Sequence, residues 1–125
     1  LKAEEVWYGA AEADSLAGYW DGSVQFVDKI NQICLLNREM DIRVRAPLLE
    51  MSKKDIILNG VELGVKFGDT YTCYSGEYPC DANSASSALR LKGFVDAGLR
   101  DPLPYKQKDK LDTIYKENNC KSIVY

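Results

Sequence analysis

Apolar positions near the start of the chain have first the spacing of a strand and then that of a helix. The run Glu5-Val6-Trp7-Tyr8 is β-branched and aromatic and ends at Gly9, which predicts a buried strand followed by a turn. From Ser23 to about Arg38, apolar residues recur every three or four positions, which predicts a helix with one buried face. That face consists of Phe26, Val27, Ile30, Ile33 and Cys34. Residues 9–23 are small, acidic or glycine-rich, so we expect an irregular loop there.

The alternation continues through the middle of the chain. Ile42-Arg43-Val44-Arg45 has the pattern of an edge or half-covered strand that stops at Pro47. Ser52 and Asp55 resemble a capping box, and the apolar spacing after them predicts a helix that ends near Gly64. A further helix is predicted from Ser84 to Gly98, with an apolar side formed by Leu89, Phe94, Val95 and Ala97.

The last residues predict an amphipathic helix and a short edge strand. The helix extends from about Lys106 to Asn118 with Leu111, Ile114 and Tyr115 facing inward, and the strand covers residues 123–125. Strands that alternate with helices predict the α/β class with a layered fold. The strands are too few for a complete sheet and the chain begins at Leu1 rather than at a methionine, so we expect a fragment of a longer protein.

Composition and charge limit the classes of function. The chain has 125 residues, 46% of them apolar, which suits one globular domain. A formal net charge of −3 argues against a general basic surface for nucleic acid, and the Lys106–Lys110 stretch is interpreted as a solvated helix face rather than a phosphate patch. No apolar run is long enough to span a bilayer and no signal peptide opens the chain, so we expect a cytoplasmic protein without a membrane or direct nucleic-acid partner.

Three segments of the chain carry recognisable motifs. The first is Asp69-Thr70-Tyr71-Thr72-Cys73-Tyr74-Ser75-Gly76 followed by Leu89-Arg90-Leu91-Lys92-Gly93-Phe94. The second is Glu12-Ala13-Asp14 and then Gly18-Tyr19-Trp20-Asp21, and the third is Ala46-Pro47-Leu48-Leu49 before Ser52-Lys53. Together they resemble one enzyme family, the 7-cyano-7-deazaguanine synthases of the QueC type. The second segment is similar to that family's Gly-x-x-Glu-Thr-Asp and Gly-Tyr-Pro-Asp, with one extra residue between Asp14 and Gly18. The resemblance extends in order from Lys2 to about Phe94.

The resemblance implies the C-terminal part of a PP-loop α/β fold with a helical C-terminal region. Residues 1–69 would belong to the PP-loop domain, 70–100 to a degenerate cysteine-motif loop and helix, and 101–125 to an extension. The implied reaction joins 7-carboxy-7-deazaguanine and ammonia to give the 7-cyano product, with ATP and Mg²⁺. The family's Ser-Gly-Gly-x-Asp-Ser loop for ATP is not among these residues, so the chain alone should be inactive.

Other functional interpretations stay open at this stage. A diverged relative could bind a deazapurine, a nucleotide or a protein partner without catalysis. A repurposed enzyme could instead activate a different carboxylate. The resemblance also makes a homodimer an expectation.

Glu12, Asp14, Tyr19 and Asp21 are the candidate substrate-binding residues. Carboxylates accept hydrogen bonds from the amino and ring N–H groups of a purine-like ligand. The alternative is that they are solvated loop residues and that Asp21 caps the next helix. The family continues Pro-Asp-Cys-Arg where this chain has Trp20-Asp21-Gly22-Ser23, and the missing Arg leaves the substrate open.

Lys53 is the candidate on the phosphate or ATP side. It lies in the first turn of its predicted helix, where the helix dipole disfavours a cation unless a phosphate or another partner lies near. The alternative is an exposed lysine that extends into water.

Two of the cysteines are candidate ligands of a structural zinc site. The family resemblance implies a site formed by the Thr-Cys-Tyr cysteine and a Cys-x-x-Cys-x-x-Cys run, a closed tetrahedral arrangement. Here only Cys73 and Cys80 are present. Asp81, Ser84 and Ser87 stand at the run's positions when counted back from Leu89, and Asn83 and Ser86 do so when counted forward from Cys80, so neither register restores four thiolates. Three states remain open: zinc held by Cys73 and Cys80, two reduced thiols in a loop held by other contacts, or a Cys73–Cys80 disulfide. Cys34 is predicted to be a core residue.

Overall fold

Two short parallel strands and a helix organise the first unit of the chain, which ends at Ser52. The structure is a computed structural model that describes residues 3–123. Strand β1 (Glu5–Trp7) pairs with β2 (Arg43–Arg45), with Val6 opposite Val44. The connecting segment contains helix α1 (Glu12–Leu16), a 3-10 helix (Trp20–Gly22) and helix α2 (Val24–Cys34). A small parallel sheet with helices is compatible with the predicted α/β class.

Helix α2 closes the outer edge of β2. Because Arg43 N donates to Glu4 O (2.9 Å) and Tyr8 N donates to Arg45 O (2.7 Å), Val44 directs its own backbone groups away from β1. The Asn31 carboxamide on α2 satisfies both groups. Its nitrogen donates to Val44 O at 3.0 Å, and its oxygen accepts from Val44 N at 2.8 Å.

The predicted strand at the start of the chain is present but not buried. All three residues of β1 are exposed, and 69% of the Trp7 surface is accessible. A sheet of two short strands within residues 3–123 has too little surface to bury both of its faces. The prediction of a buried strand is therefore wrong for this chain.

Helix α2 is shorter and less buried than its periodicity predicts. It begins after Ser23, whose hydroxyl accepts from Phe26 N, and ends at Cys34 rather than near Arg38. Val27 is buried and Cys34 is half-buried, but Ile33 is 61% exposed, so its predicted place in the core is wrong. Periodicity predicts which side of a helix is apolar, whereas the small first unit covers only part of that side.

The loop predicted for residues 9–23 contains regular structure. Helix α1 begins after Ala11, whose backbone N–H donates to the Asp14 carboxylate at 2.9 Å. Asp14 N donates back to Ala11 O at 2.9 Å. The two contacts satisfy backbone groups at the helix start and explain why a short polar segment becomes helical. The prediction of an irregular loop is thus wrong for residues 12–16 and 20–22.

The second unit, which begins at Lys53, is helical where the sequence predicts helices. Helix α3 is Lys53–Glu62, α4 is Ala85–Asp96 and α5 is Lys108–Glu117, with a 3-10 helix at Phe67–Asp69 between α3 and α4. Ser84 caps α4 by accepting from Ser87 N, and Gly98 follows it with φ +70°. One apolar cluster contains Ile57, Phe67 and Phe94. Another contains Cys80, Leu91, Leu103, Tyr105, Leu111 and Tyr115.

The C-terminal predictions have mixed outcomes. Leu111 and Tyr115 are buried on α5, while Lys106, Lys108 and Lys110 are exposed, as predicted for a solvated face. Lys121 pairs with Leu99 in an isolated parallel bridge, but Ile123 is not in a strand, and residues 124 and 125 lie outside the described part. Among residues 3–123, every helix is too short or too polar to cross a bilayer.

Candidate functional site

The side chains of Tyr8 and Asp21 meet just beyond the carboxyl end of β1. The Tyr8 hydroxyl donates to Asp21 Oδ2 at 3.2 Å, and both side chains are half-buried. Asp21 does not cap α2, because Ser23 does so, and the alternative capping role is therefore wrong. The carboxyl end of a parallel strand is where α/β folds place ligands.

Asp14 lies beside the same segment because Gly22 permits a close approach. A Cβ atom at Gly22 would lie 2.8 Å from Asp14 Cβ and 3.1 Å from Ser15 N. The Tyr19 backbone N–H also donates to Asp14 O at 3.0 Å, which folds the 3-10 helix back onto α1. Two predicted residues, Asp14 and Asp21, are thus brought to one place.

Two carboxylates make this site rich in hydrogen-bond acceptors. Burial raises the pKa of Tyr8, and the bond to Asp21 and the negative charges of Asp21 and Asp14 raise it further. The phenol therefore remains a protonated donor at neutral pH. Asp21 has acceptor positions beyond the one that Tyr8 uses, so a ligand with N–H donors could share it.

Aromatic rings line the solvent side of the segment. Tyr19 is exposed, and Trp20 is 74% exposed although its ring packs edge-on against Phe26 at a centroid distance of 5.0 Å. Exposed aromatic faces can stack on a planar heterocycle. Glu12 lies in α1, and its side chain is outside the described part of the structure.

Lys53 is the first residue of α3, as predicted, and it is half-buried. Its stem packs against α4, since a Cβ atom at Gly93 would lie 2.8 Å from Lys53 Cβ. Its role on the phosphate side stays a prediction.

Serine hydroxyls surround the Cys73 sulfur. Cys73 Sγ lies 3.1 Å from Ser75 Oγ, and the Cys73 thiol donates to Ser84 Oγ at 3.4 Å. Ser87 is fully buried, and its hydroxyl lacks a hydrogen-bond partner among the described residues. Cys73 and Cys80 are both free thiols, so the disulfide alternative is wrong for this structure.

These residues do not fit a structural zinc ion. Zinc sites of this type need thiolate or imidazole ligands, whereas the neighbours of Cys73 are neutral hydroxyls. Residues 3–123 contain no group of three His, Cys, Asp or Glu side chains arranged to hold a metal. The predicted pair Cys73 and Cys80 therefore lacks the two further thiolates that a closed site requires.

The pKa of the Cys73 thiol should lie well below that of an ordinary cysteine. Hydrogen bonds donated to the thiolate by the Ser75 hydroxyl, and then by the Ser84 hydroxyl once the thiol has lost its proton, lower its pKa to about 6. Because the folded-state pKa is lowered, the stabilisation is complete above the pKa of the unfolded thiol, about 8.5, and is lost as the pH falls through the folded value. The thiolate absorbance of wild type minus Cys73→Ser should rise with a midpoint near 6. A midpoint at the ordinary thiol value would contradict this prediction.

The sequence does not predict Tyr8, Ser84 and Ser87 as parts of a site. It predicts Tyr8 only as a strand residue, although a position at the carboxyl end of a strand is a usable signal. It indicates Ser84 and Ser87 only as positions where cysteines are missing. Their spacing of three residues is a signal that both side chains lie on one face of a helix start.

Comparison with known proteins shows which family the chain resembles. The family model described as "Queuosine biosynthesis protein QueC" matches residues 1–98. The 7-cyano-7-deazaguanine synthase of Chlorobium phaeobacteroides (strain DSM 266) is 39% identical over 110 residues, covering 86% of this chain and 48% of the relative. That of Nitratiruptor sp. is 37% identical over 106 residues, covering 83% of this chain and 48% of the relative.

The chain spans about half the length of the curated relatives it matches. No solved structure matches it. Because the family model covers most of its length, the chain belongs to the QueC family of queuosine biosynthesis proteins.

Proposed function

We propose that the complete protein is a 7-cyano-7-deazaguanine synthase, an ATP-dependent ligase. It would convert 7-carboxy-7-deazaguanine and ammonia to the 7-cyano product while ATP is split to AMP and pyrophosphate. The observation that carries this proposal is the family match over residues 1–98, which includes the segment where Tyr8, Asp14 and Asp21 converge. ATP with Mg²⁺ supplies activation of the substrate carboxylate and would be held mainly outside this chain.

The fold proposal is that residues 1–69 complete a PP-loop domain with a preceding half. Support comes from the sheet edges, since Asn31 occupies the outer edge of β2 and the opposite edge of β1 has no strand beside it among residues 3–123. Parallel strands are usually covered on both faces, and Trp7 is exposed here. A parallel strand from the other half would therefore add beside β1. The loop and helix of residues 70–100 and the extension of residues 101–125 complete this proposed division.

Substrate recognition is proposed to use the acceptors at the end of β1. Asp21 would accept from the amino or ring N–H groups of the deazapurine, and Tyr8 would hold that carboxylate in place. Asp14 would add negative potential on this side, and Glu12 is proposed as a substrate-binding residue from the family motif alone. Tyr19 and Trp20 present exposed rings on which the heterocycle could stack.

Lys53 is proposed to contact a phosphate of the nucleotide. Its position at the first residue of α3 places the cation where the helix dipole would favour an anion beside it. We also propose a cytoplasmic location and a homodimer, which follow from the family resemblance. The proposals of a cytoplasmic location and of a homodimer do not depend on the proposed substrate site.

The test is AMP release by the full-length gene product. AMP should form only when both 7-carboxy-7-deazaguanine and ammonia are supplied. Binding of the deazapurine without AMP release would favour the non-catalytic binding module. AMP release with another carboxylate alone would favour the repurposed enzyme, and either result would overturn the proposed reaction.

Asp21→Asn should lower kcat/KM about tenfold or more, because a charged hydrogen-bond acceptor contributes about 1.5–3 kcal/mol. Steady-state kinetics with varied deazapurine would measure the change. Asp28→Asn is the matched control, since Asp28 is exposed on α2 and the Tyr8 hydroxyl donates to Asp21. Equal activity of the two variants would contradict the role of Asp21.

A further inference from the structure

The loop between the 3-10 helix at Phe67–Asp69 and α4, together with the first turn of α4, contains the positions at which the family resemblance implies zinc ligands. Two of these positions, Ser84 at the cap and Ser87 in the first turn, lie around Cys73. The Ser84 hydroxyl already accepts from Ser87 N at 3.3 Å as the cap of α4. A neutral hydroxyl that serves as a helix cap is a poor ligand for zinc.

Cys80 is committed to the apolar core. It is fully buried in a cluster with Leu91, Tyr105 and Tyr115. Its backbone is also fixed, since Cys80 N donates to Pro104 O at 3.0 Å and Lys106 N donates to Cys80 O at 3.0 Å. The loop is thus attached at Cys80 by backbone pairing that needs no ligand.

Gln107 closes the next part of the loop. Its carboxamide oxygen accepts from Ala82 N at 2.9 Å, and its nitrogen donates to Asp81 Oδ1 at 2.9 Å. Asn83 N donates to the same carboxylate oxygen at 2.9 Å. The Asn83 and Gln107 bonds lower the pKa of Asp81, so the carboxylate stays ionised and remains an acceptor.

We propose that this loop is closed without a metal ion, by the Gln107 carboxamide and the Cys80 backbone pairing, around a Cys73, Ser84 and Ser87 cluster. The two serines occupy the places of two metal ligands, with hydroxyls where thiols would be required. Replacing both serines by cysteine should therefore create a zinc site of three thiolates with Cys73, in which the Asp81 carboxylate stands at the remaining position of the run. The proposal concerns metal content and stability, so it is independent of the reaction proposed above.

The test measures zinc by mass spectrometry in the full-length gene product, purified with a thiol reductant and with zinc in the growth medium. Wild type should hold far less than one zinc per chain, and EDTA should leave its melting temperature unchanged. Ser84→Cys/Ser87→Cys should hold about one zinc per chain and should lose stability when EDTA is added. Ser84→Ala/Ser87→Ala is the matched control and should stay free of zinc.

Gln107→Ala tests the closure directly. It removes two hydrogen bonds and should lower the melting temperature by about 2–4 °C, with or without EDTA. One zinc per wild-type chain with loss of stability in EDTA would overturn the proposal. A folded double-cysteine variant that binds no zinc would overturn the placement of Ser84 and Ser87, and an unchanged melting temperature in Gln107→Ala would overturn the role of Gln107.

Discussion

Replacing Asp101 by alanine is expected to lower the free energy of unfolding by about 3–5 kcal/mol, because it leaves a buried guanidinium without its counter-charge. Arg90 Nη2 donates to Asp101 Oδ1 at 2.8 Å, and the Asp101 side chain is fully buried. The same carboxylate accepts from Tyr105 OH at 2.8 Å and from Leu103 N at 3.0 Å. Its removal therefore leaves donor groups on three residues, Arg90, Leu103 and Tyr105, without this acceptor.

Arg90 links this pair to the start of the cysteine loop. It donates to Thr70 Oγ1 at 2.7 Å and to Phe67 O at 3.0 Å. The family motif Leu89-Arg90 thus has a structural role: one arginine joins α4, the Phe67–Asp69 turn and the segment after Gly98.

Urea unfolding of the full chain would measure the effect of Asp101→Ala. The matched control is Asp96→Ala, which removes an exposed ion pair with Lys92 on the same helix and should change the free energy by about 0.5 kcal/mol or less. Arg90→Met/Asp101→Leu should be more stable than Asp101→Ala alone, since no unpaired charge remains. Equal losses in Asp96→Ala and Asp101→Ala would contradict the assigned role of the buried pair.

Gly93→Ala is expected to destabilise the second unit by about 1–3 kcal/mol, through overpacking where α3 crosses α4. A Cβ atom at Gly93 would lie 2.8 Å from Lys53 Cβ, 3.0 Å from Ile57 Cδ1 and 3.3 Å from the Lys53 carbonyl carbon. The backbone atom cannot rotate away, so the helices must separate. In an exposed helix, replacing glycine by alanine would raise the free energy of unfolding by about 1 kcal/mol. At Gly93 we expect the opposite sign, because α3 and α4 approach too closely there to admit a Cβ atom.

Thermal and urea unfolding of the full chain would measure the Gly93→Ala effect. Gly68→Ala is the matched control, because nothing lies within 4 Å of a Cβ atom there and its φ is not in the left-handed region. We expect Gly68→Ala to be close to neutral. A stabilised Gly93→Ala variant would show that α3 and α4 do not approach as closely at this position.

Local elements in the second unit could be predicted well because their signals lie within a few residues. Helix α4 has its cap at Ser84 and its left-handed stop at Gly98, and both are visible in the sequence. Helix α5 has an apolar spacing that correctly predicts Leu111 and Tyr115 as buried. In the first unit the strands were placed correctly, but the burial of Val6, Trp7 and Ile33 was not, because burial depends on what covers a face.

The candidate site, too, could be predicted from the sequence only in part. Asp14 and Asp21 could be selected because they match a family motif, yet their convergence depends on Gly22 and on the Tyr8 hydroxyl. The cysteine loop was recognised from Cys73 and the spacing to Leu89-Arg90. Its closure by Gln107 could not be predicted, because Gln107 lies 26 residues from Asp81 in an exposed, lysine-rich stretch.

The family, the helices α3 to α5 and the residue types of the acceptor-rich segment after β1 can all be predicted from the amino-acid sequence. The folded chain is needed to show that Asp21 pairs with Tyr8, that Arg90 is neutralised by Asp101, and that hydroxyls surround Cys73. The physical reason is the range of the interactions. Caps and periodic faces act between neighbours along the chain, whereas these contacts join segments whose meeting depends on how helices and loops pack.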